Sequence, residues 1–321
     1  MEGAFGGRSG DWHNLFGIFI KHLYTTFYHK ITGNSLSQWT APATVENFRR
    51  MIWSKLKVSP CQVEKWLNGD INHLDIIDIA FELFRSFGFI DDTAERTCRP
   101  GSGPEPGEQR HAARKEFARV IQAAFYNGYY KAHGVKYQTV IFPHGIWGSV
   151  FGASLRHNDK GMLNMSGIVE YLRDLLQPIP NIGEYPGLYG DDIFPEMHDV
   201  IFRKIRNPQT DEEHVFNKRM SCLRQCIELA YGSLFNMFPI LKDPSKHKLM
   251  IQKTRAIQLG IVCFFLHNCR TCMRGNEVNT MFNSQPPTLD EYIPLDEHLE
   301  PFDLALEDDQ EEDVVEALQA L

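Results

Sequence analysis

The chain lacks the excess of positive charge that a purely electrostatic DNA-binding protein needs. It contains 33 lysines and arginines against 41 aspartates and glutamates, which gives a formal net charge of −8 and a pI near 5.9. Electrostatic DNA binders are usually basic, so this balance counts against that class of protein. It is compatible with an enzyme whose acidic residues hold metal ions and whose basic residues form local patches.

Long apolar segments are also missing. Residues 1–10 are rich in glycine and contain no apolar core of a signal peptide, and the best candidate for a membrane span, residues 259–266, is too short. The seven cysteines are an odd number and are scattered along the chain. We therefore expect a soluble intracellular protein with reduced thiols and no membrane contact.

The order of apolar patterns divides the chain into three regions. With 321 residues, 43% of them apolar, the chain is long enough to bury a full hydrophobic core. Residues 1–86 have apolar side chains at helical spacing and predict a small helical region. Residues 87–293 mix strand and helix patterns and predict an α/β domain, whereas residues 294–321 predict an acidic tail.

Residues 87–90 predict a buried strand, because they are an aromatic and β-branched run that ends in two aspartates. Further elements follow in the order strand, strand, helix, strand, helix and helix. Their predicted ranges are 129–142 and 145–155 for the two strands, 163–176 for a helix, 187–190 for a short strand, and 213–237 and 246–268 for long helices. In such sheets, sites form beyond the carboxyl ends of the strands.

Four acidic residues of this region, Asp91, Asp159, Asp191 and Glu228, are candidates for chemistry. The first three follow strand-like segments, and the fourth lies inside a predicted helix. One such carboxylate alone would be explained by a helix cap or a solvated turn. Several carboxylates buried together are costly unless a cation neutralises them, and Mg²⁺ prefers oxygen ligands of this kind. Two such ions can clamp the attacking and leaving oxygens of a phosphoryl transfer.

Several short motifs, taken in order, resemble those of the PIF/Harbinger-type DDE transposases. Each motif is weak alone, but their order and spacing are specific. The matching segments are Gly-Phe-Ile-Asp-Asp-Thr at 88–93 with Arg-Pro at 99–100, Tyr-Asn-Gly at 126–128 with His133, Lys136 and Gln138, Pro-His-Gly at 143–145 with Gly152 and Arg-His-Asn-Asp at 156–159, Tyr-Gly-Asp-Asp at 189–192, and Asn217, Ser221, Arg224, Glu228 and Gly232.

The resemblance covers residues 87 to 292 and implies an RNase H-like mixed sheet flanked by helices. It also implies Mg²⁺- or Mn²⁺-dependent cleavage of double-stranded DNA at transposon ends, in the nucleus. On the matched motifs, Asp91 and Asp159 are expected as the first and second metal ligands. The third is Asp191 or Glu228, with Glu228 favoured as the glutamate of the family motif. We also expect a homo-oligomer and a DNA-binding protein as partner.

Departures from the family pattern motivate an alternative function. Asp92 stands where the family has glycine, Leu155 replaces another glycine, and Phe235 stands where a basic residue is common. An added carboxylate beside Asp91 could raise a pKa or bind an extra ion. The alternative is a catalytically inactive, domesticated relative that acts as a DNA- or protein-binding module.

Other candidate sites carry weaker signals. Cys269 and Cys272 have zinc-like spacing near His267, but a tetrahedral zinc site needs a second pair of ligands. His133 and His144 lie near predicted strand ends, where they could approach the metal cleft or have a structural role. The N-terminal helices are locally basic and could form a helix-turn-helix reader. Basic residues that could contact phosphates are Arg203, Lys204, Arg206, Lys218 and Arg219, followed by Lys242, Lys246, Lys248, Lys253 and Arg255.

Overall fold

The N-terminal part of the chain is helical. The computed structural model describes residues 9–56, 84–99, 119–180, 183–192, 199–242 and 256–294. Helix α1 is Ser9–Phe27, helix α2 is Pro42–Leu56, and two 3-10 turns, Tyr28–Lys30 and Gly33–Gln38, connect them. The predicted helical N-terminal region is confirmed over these residues. Its predicted continuation over 57–83 lies outside the described part, so the boundary at residue 86 stays a prediction.

In the described part of the chain, six strands form one mixed sheet. Strand β3 pairs antiparallel with β1 on one side and with β4 on the other, and its first two residues also pair with β2. Strand β5 joins the free side of β1 in parallel, and β6 pairs in parallel with β5. The strands are β1 (Ser86–Arg96), β2 (Tyr126–Asn127), β3 (Ala132–Ile141), β4 (Trp147–Ser154), β5 (Gly187–Tyr189) and β6 (Ile201–Phe202).

Helices flank this sheet. Residues 119–125, between β1 and β2, are helical. After β4 the described helices are α3 (Asp159–Ser166), α4 (Ile168–Leu175), α5 (Asp211–Met237), α6 (Ala256–Arg274), α7 (Glu277–Phe282) and α8 (Leu289–Tyr292). A β4-β3-β1 meander extended by two parallel strands and covered by helices is an RNase H-like arrangement. The predicted fold class, α/β with a mixed sheet and a helical N-terminal region, is therefore confirmed.

The helix predicted over 163–176 is two helices. Helix α3 begins earlier, where the Asn158 side chain accepts a hydrogen bond from the Gly161 backbone N–H at 2.8 Å. It ends at Gly167, whose φ of 61° lies in the left-handed region that glycine adopts without strain. The amphipathic pattern continues through the break, which is why the pattern alone predicts a single helix.

The core lies between the sheet and helices α5 and α6. Trp147 of β4 is fully buried, with its ring stacked 5.1 Å from that of Tyr231 on α5 and edge-on at 5.1 Å to Phe264 on α6. The N-terminal helices pack against the same core, since Phe27 stacks on Phe265 at 4.5 Å. Contacts of this kind join residues of both N-terminal helices, of the long strands and of α5 and α6 into one hydrophobic cluster.

Helix α6 is the one described helix that is long and apolar enough to cross a membrane by length and composition. It has 19 residues, and 61% of its most apolar window is buried inside the protein. Most of it therefore serves as a core helix that contacts β4 and α1.

Candidate active site

Asp91 lies on β1 next to the end of β5. In the parallel register between these strands Phe89 pairs with Tyr189, so Asp91 and Asp191 each come two residues after a paired position. Residues two apart along a strand project from the same face of the sheet. The fold thus brings Asp91 and Asp191 to neighbouring positions on one face, close enough for their carboxylates to interact electrostatically.

Helix α5 adds Arg224 and Glu228 to this face. The Arg224 guanidinium donates one hydrogen bond to Oδ2 of Asp91 at 2.8 Å and another to Oε1 of Glu228 at 3.2 Å. Arg224 and Glu228 are four residues apart, about one helical turn, and so lie on the same side of α5. One cation therefore links the carboxylate of β1 to the carboxylate of α5.

Hydroxyl groups fix α5 against the sheet beside these residues. The Tyr231 hydroxyl is 2.6 Å from the Thr139 hydroxyl, and both lie 3.3 Å from the backbone carbonyl oxygen of Asp91. One turn before Arg224, Ser221 forms a side-chain hydrogen bond with Tyr189 of β5. The helix residues of the family motif thus contact β1 and β5 directly.

Burial dominates the electrostatics of Asp91. It raises the pKa of the Asp91 carboxyl to about 6, although the neighbouring Arg224 and a backbone hydrogen bond from the Asp92 N–H lower it. Asp191 and Glu228 raise it further, because each adds negative charge nearby. A carboxylate in such surroundings gains stability from any added positive charge.

The donor set of this face fits a divalent cation in its chemistry. Three neighbouring carboxylates, Asp91, Asp191 and Glu228, offer the hard oxygen ligands that such an ion prefers. Over the described residues, no three histidine, cysteine, aspartate or glutamate side chains are already arranged to hold a metal ion. Arg224 bridges two of the three carboxylates, so it provides the positive charge that this arrangement requires.

Asp159 lies in a different cluster from Asp91. Lys136 of β3 contacts the Asp159 carboxylate at the start of α3, and its ammonium is 3.4 Å from Oδ2 of Asp92. Asp92 follows Asp91 on the strand and therefore faces the opposite side of the sheet. Burial raises the pKa of Asp92 to about 8, Lys136 lowers it, and Asp159 raises it. The Gln138 side chain accepts a hydrogen bond from Ser166 at 2.7 Å nearby.

The structure thus brings together three of the four predicted acidic residues and separates the fourth from them. Arg224 pairs with Asp91 and Glu228, and Asp191 lies close enough to Asp91 to affect its pKa, whereas Asp159 is bound by Lys136. Strands β1, β4 and β5 all run in the same direction, and Asp159 and Asp191 follow the ends of β4 and β5. The expectation that Asp91 also follows a strand is wrong, because β1 continues to Arg96 and Asp91 lies inside it. Which face of the sheet each of these side chains occupies depends on the pairing register of the strands, and the sequence alone does not give that register. The predicted role of Asp159 as a metal ligand stays a prediction.

The predicted histidine and cysteine candidates have structural surroundings. His144 is buried, its ring 4.7 Å from those of Trp39 and Phe48, and burial lowers its pKa to about 3. His133 packs against Tyr126 at 5.2 Å. Ring nitrogens of His267 are 3.2 Å from the Trp147 indole nitrogen and the Ser233 hydroxyl. Cys269 and Cys272 are not joined in a disulfide, and no zinc-like cluster occurs in the described residues.

Some of the basic residues proposed for phosphate contact have other partners. Lys204 forms an ion pair with Asp192, and Arg219 donates a hydrogen bond to the Leu56 carbonyl of α2. Arg206 and Lys218 are exposed, and residues 243–255 lie outside the described part. Helix α2 packs on β1, so the predicted DNA-reading role of the N-terminal helices stays a prediction.

Comparison with known proteins gives one family. The sequence model of the family described as DDE superfamily endonuclease matches residues 111–268, slightly less than half of the chain. This match includes β3, β4, β5 and the whole of α5, and it supports the DDE superfamily endonucleases as the family to which the chain is similar. No curated protein and no solved structure matches the chain.

Proposed function

We propose that this protein is a metal-dependent DNA endonuclease of the transposase type, and that Asp91, Asp191 and Glu228 form its acidic site. The similarity to DDE superfamily endonucleases supports a nuclease or transposase-type function. The observation that carries the residue assignment is the position of Asp91, which is bridged to Glu228 by Arg224 and interacts electrostatically with Asp191. The reaction would be the cleavage of a phosphodiester bond in double-stranded DNA.

Each residue of this site has a definable task. Asp91, Asp191 and Glu228 would hold Mg²⁺ or Mn²⁺, and the ion, when bound, would activate a water or a 3′-hydroxyl against the phosphodiester. Arg224 lies between two of the carboxylates and is 20% exposed, so it can move toward solvent and pair with a phosphate oxygen. Thr139 and Tyr231 hold the backbone of Asp91 so that its carboxylate keeps its orientation.

The assignment of Asp191 as the second ligand replaces the expectation for Asp159. The support is geometric: Asp191 shares a sheet face with Asp91, whereas Asp159 is bound by Lys136 beside Asp92. The two assignments differ in the variant that should lose activity, which is Asp191→Asn for one and Asp159→Asn for the other.

A nicking assay on supercoiled plasmid with Mg²⁺ or Mn²⁺ tests the proposal. Asp91→Asn, Asp191→Asn and Glu228→Gln should each slow cleavage by at least about 100-fold, because metal ligation contributes several kcal/mol to such transition states. Asp174→Asn is the matched control, since Asp174 is an exposed carboxylate on α4. Full activity of Asp191→Asn together with loss of activity in Asp159→Asn would refute the assignment.

A second candidate function is that of a non-catalytic relative that binds DNA or protein. Its support is that Phe235, where the family often has a basic residue, is partly buried with its ring 6.2 Å from that of Tyr231. The Asp92 carboxylate adds to this support. Calorimetric titration with Mn²⁺ distinguishes the two: the nuclease binds the ion at millimolar concentration or below, and the non-catalytic relative does not.

The finer points of the resemblance belong to the same proposal. We infer membership of the PIF/Harbinger branch, a nuclear location, assembly into a homo-oligomer and cooperation with a DNA-binding protein. The support is the ordered set of motifs from residue 88 to residue 232. Fractionation of cells that express the full chain, followed by size-exclusion chromatography of the purified protein, tests location and assembly.

A further inference from the structure

Three tyrosines are exposed at the turn that joins β2 to β3. Tyr126, Tyr129 and Tyr130 expose 43%, 88% and 37% of their surface. The rings of Tyr129 and Tyr130 meet edge to face, with their centroids 5.1 Å apart. We call residues 126–131 the tyrosine turn. So many large aromatic side chains on one short exposed segment are typical of a binding surface.

The tyrosine turn is held in shape by its own hydrogen bonds. Oδ1 of Asn127 accepts from the backbone N–H groups of Tyr129 at 2.9 Å and Tyr130 at 3.2 Å. Nδ2 of Asn127 donates to the Leu155 carbonyl at 2.7 Å, which ties the turn to the end of β4. Lys131 adopts a φ of 49°, which reverses the chain into β3. The tyrosine rings are therefore presented on a fixed scaffold, which lowers the entropy cost of binding.

Cationic side chains surround the tyrosine turn. Arg96 pairs with Gly134 near the start of β3, and Arg156 follows Leu155, which accepts the hydrogen bond from Asn127. Arg99 is oriented by the neutral amide oxygen of Gln122, at 2.9 and 3.1 Å. The acidic neighbour Glu95 is buried, so its carboxyl group does not face the solvent there, and burial raises its pKa well above the ordinary value. This end of the sheet is thus locally basic in a chain of net charge −8.

We propose that the tyrosine turn binds an unpaired strand of the DNA substrate next to the cleavage position. Aromatic faces stack on unpaired bases, and cations follow the phosphates, whereas a duplex offers no free base faces to three tyrosines. The backbone of Arg96 is five residues from that of Asp91 along β1, which is about 17 Å, and the exposed Arg96 side chain projects from the opposite face of the strand. That distance matches about five nucleotides of one strand at its spacing in a duplex. This inference rests on the proposed function for the identity of the substrate.

Fluorescence anisotropy with the full chain tests this binding separately from cleavage. The probes are a labelled 12-nucleotide oligothymidine and a 12-base-pair duplex, both in EDTA so that no cleavage occurs. Tyr129→Ala and Tyr130→Ala should each weaken oligothymidine binding at least about fivefold, because each removes one stacking contact. Tyr129→Phe keeps the ring and should bind like the wild type. Tyr28→Ala, at a tyrosine that is 40% exposed on another surface, is the matched control.

Salt dependence supplies an independent reading. Arg156→Ala should reduce the slope of log affinity against log salt by about 0.7 for the single strand, which corresponds to one lost phosphate contact. The inference is overturned if oligothymidine binds more weakly than the duplex, or if both tyrosine variants bind it like the wild type. If the protein does not nick DNA but still binds the single strand through its tyrosines in EDTA, the proposed function is contradicted and the binding inference is not.

Discussion

His267 illustrates how the core keeps a titratable side chain neutral. It is fully buried on α6, and burial lowers its pKa to about 4, with a further decrease from Arg270. The Trp147 indole N–H donates to Nδ1 of His267, so the proton of the neutral ring belongs on Nε2, which faces the Ser233 hydroxyl. Protonation of Nδ1 would set two donors against each other and break the contact with Trp147.

This residue predicts a pH dependence of stability. Between about pH 6.5 and pH 4 the unfolded chain binds a proton at His267 that the folded protein does not, so this contribution is present above pH 6.5 and falls as the pH falls. His267→Gln cannot titrate. The difference in unfolding free energy between the wild type and this variant should shrink by about 1.4 kcal/mol per pH unit in that window, measured by urea denaturation. A difference that is constant with pH would contradict the assignment.

At the scale of elements, the close contact between α6 and β3 depends on Gly260. A Cβ atom on Gly260 would lie 2.0 Å from the Tyr137 hydroxyl oxygen and 2.3 Å from the adjoining ring carbon. The same hydroxyl donates a hydrogen bond to the Ala256 carbonyl at 2.9 Å. Helix α6 therefore contacts β3 through Gly260, which has no side-chain carbon, and β3 contacts α6 through the large ring of Tyr137.

Gly260→Ala should lower the unfolding free energy by about 1–3 kcal/mol, because the added methyl group forces Tyr137 from its position. Tyr137→Leu alone leaves a cavity, but in the double variant the methyl group and the smaller side chain share the space. A double-mutant cycle by chemical denaturation should therefore give a favourable coupling energy. Gly17→Ala is the control, since nothing lies within 4 Å of a Cβ on Gly17. Strictly additive effects would show that the two residues do not compete for space.

The sequence predicts those elements whose patterns are long and regular. The apolar run at 87–90 and the β-branched segments of β3 and β4 identify strands, and the capping box of Thr210 and Glu213 agrees with the start of α5. Strand β6 has two residues, too few for any periodic signal. The sequence places Asp191 at a strand end, but it does not show that β1 continues past Asp91 to Arg96. It also does not show that Asp159 lies on the side of Asp92, because this depends on pairing register, which is a long-range property.

The whole molecule is built around one core that includes the N-terminal helices. Phe48 of α2 stacks on Phe142 at 5.1 Å, and Phe142 follows β3 directly. Arg49, one residue later, is buried and donates two hydrogen bonds to the Phe84 carbonyl just before β1. The described N-terminal helices therefore support the strand that carries Asp91.

Phe48→Ala should destabilise the entire protein by about 3–5 kcal/mol, because it removes a buried ring from this shared core. Hydrogen exchange of β1 and β3 amides should accelerate together with that of α2. Phe19→Ala on α1 removes a ring that is 48% exposed and should change stability by less than about 0.5 kcal/mol. Unchanged protection of the sheet in Phe48→Ala would mean that α2 unfolds independently.

The consecutive residues Asp91 and Asp92 place one carboxylate on each face of β1. Because consecutive residues of a strand face opposite sides, the insertion of one residue before Asp91 would shift Asp91 to the other side of the sheet. Insertion of one residue after Asp91 would leave it in position and move Asp92 instead. Deletion of one residue before Asp91 would instead bring Asp92 into the place beside Arg224, whereas glycine at residue 92 would leave that place without a carboxylate.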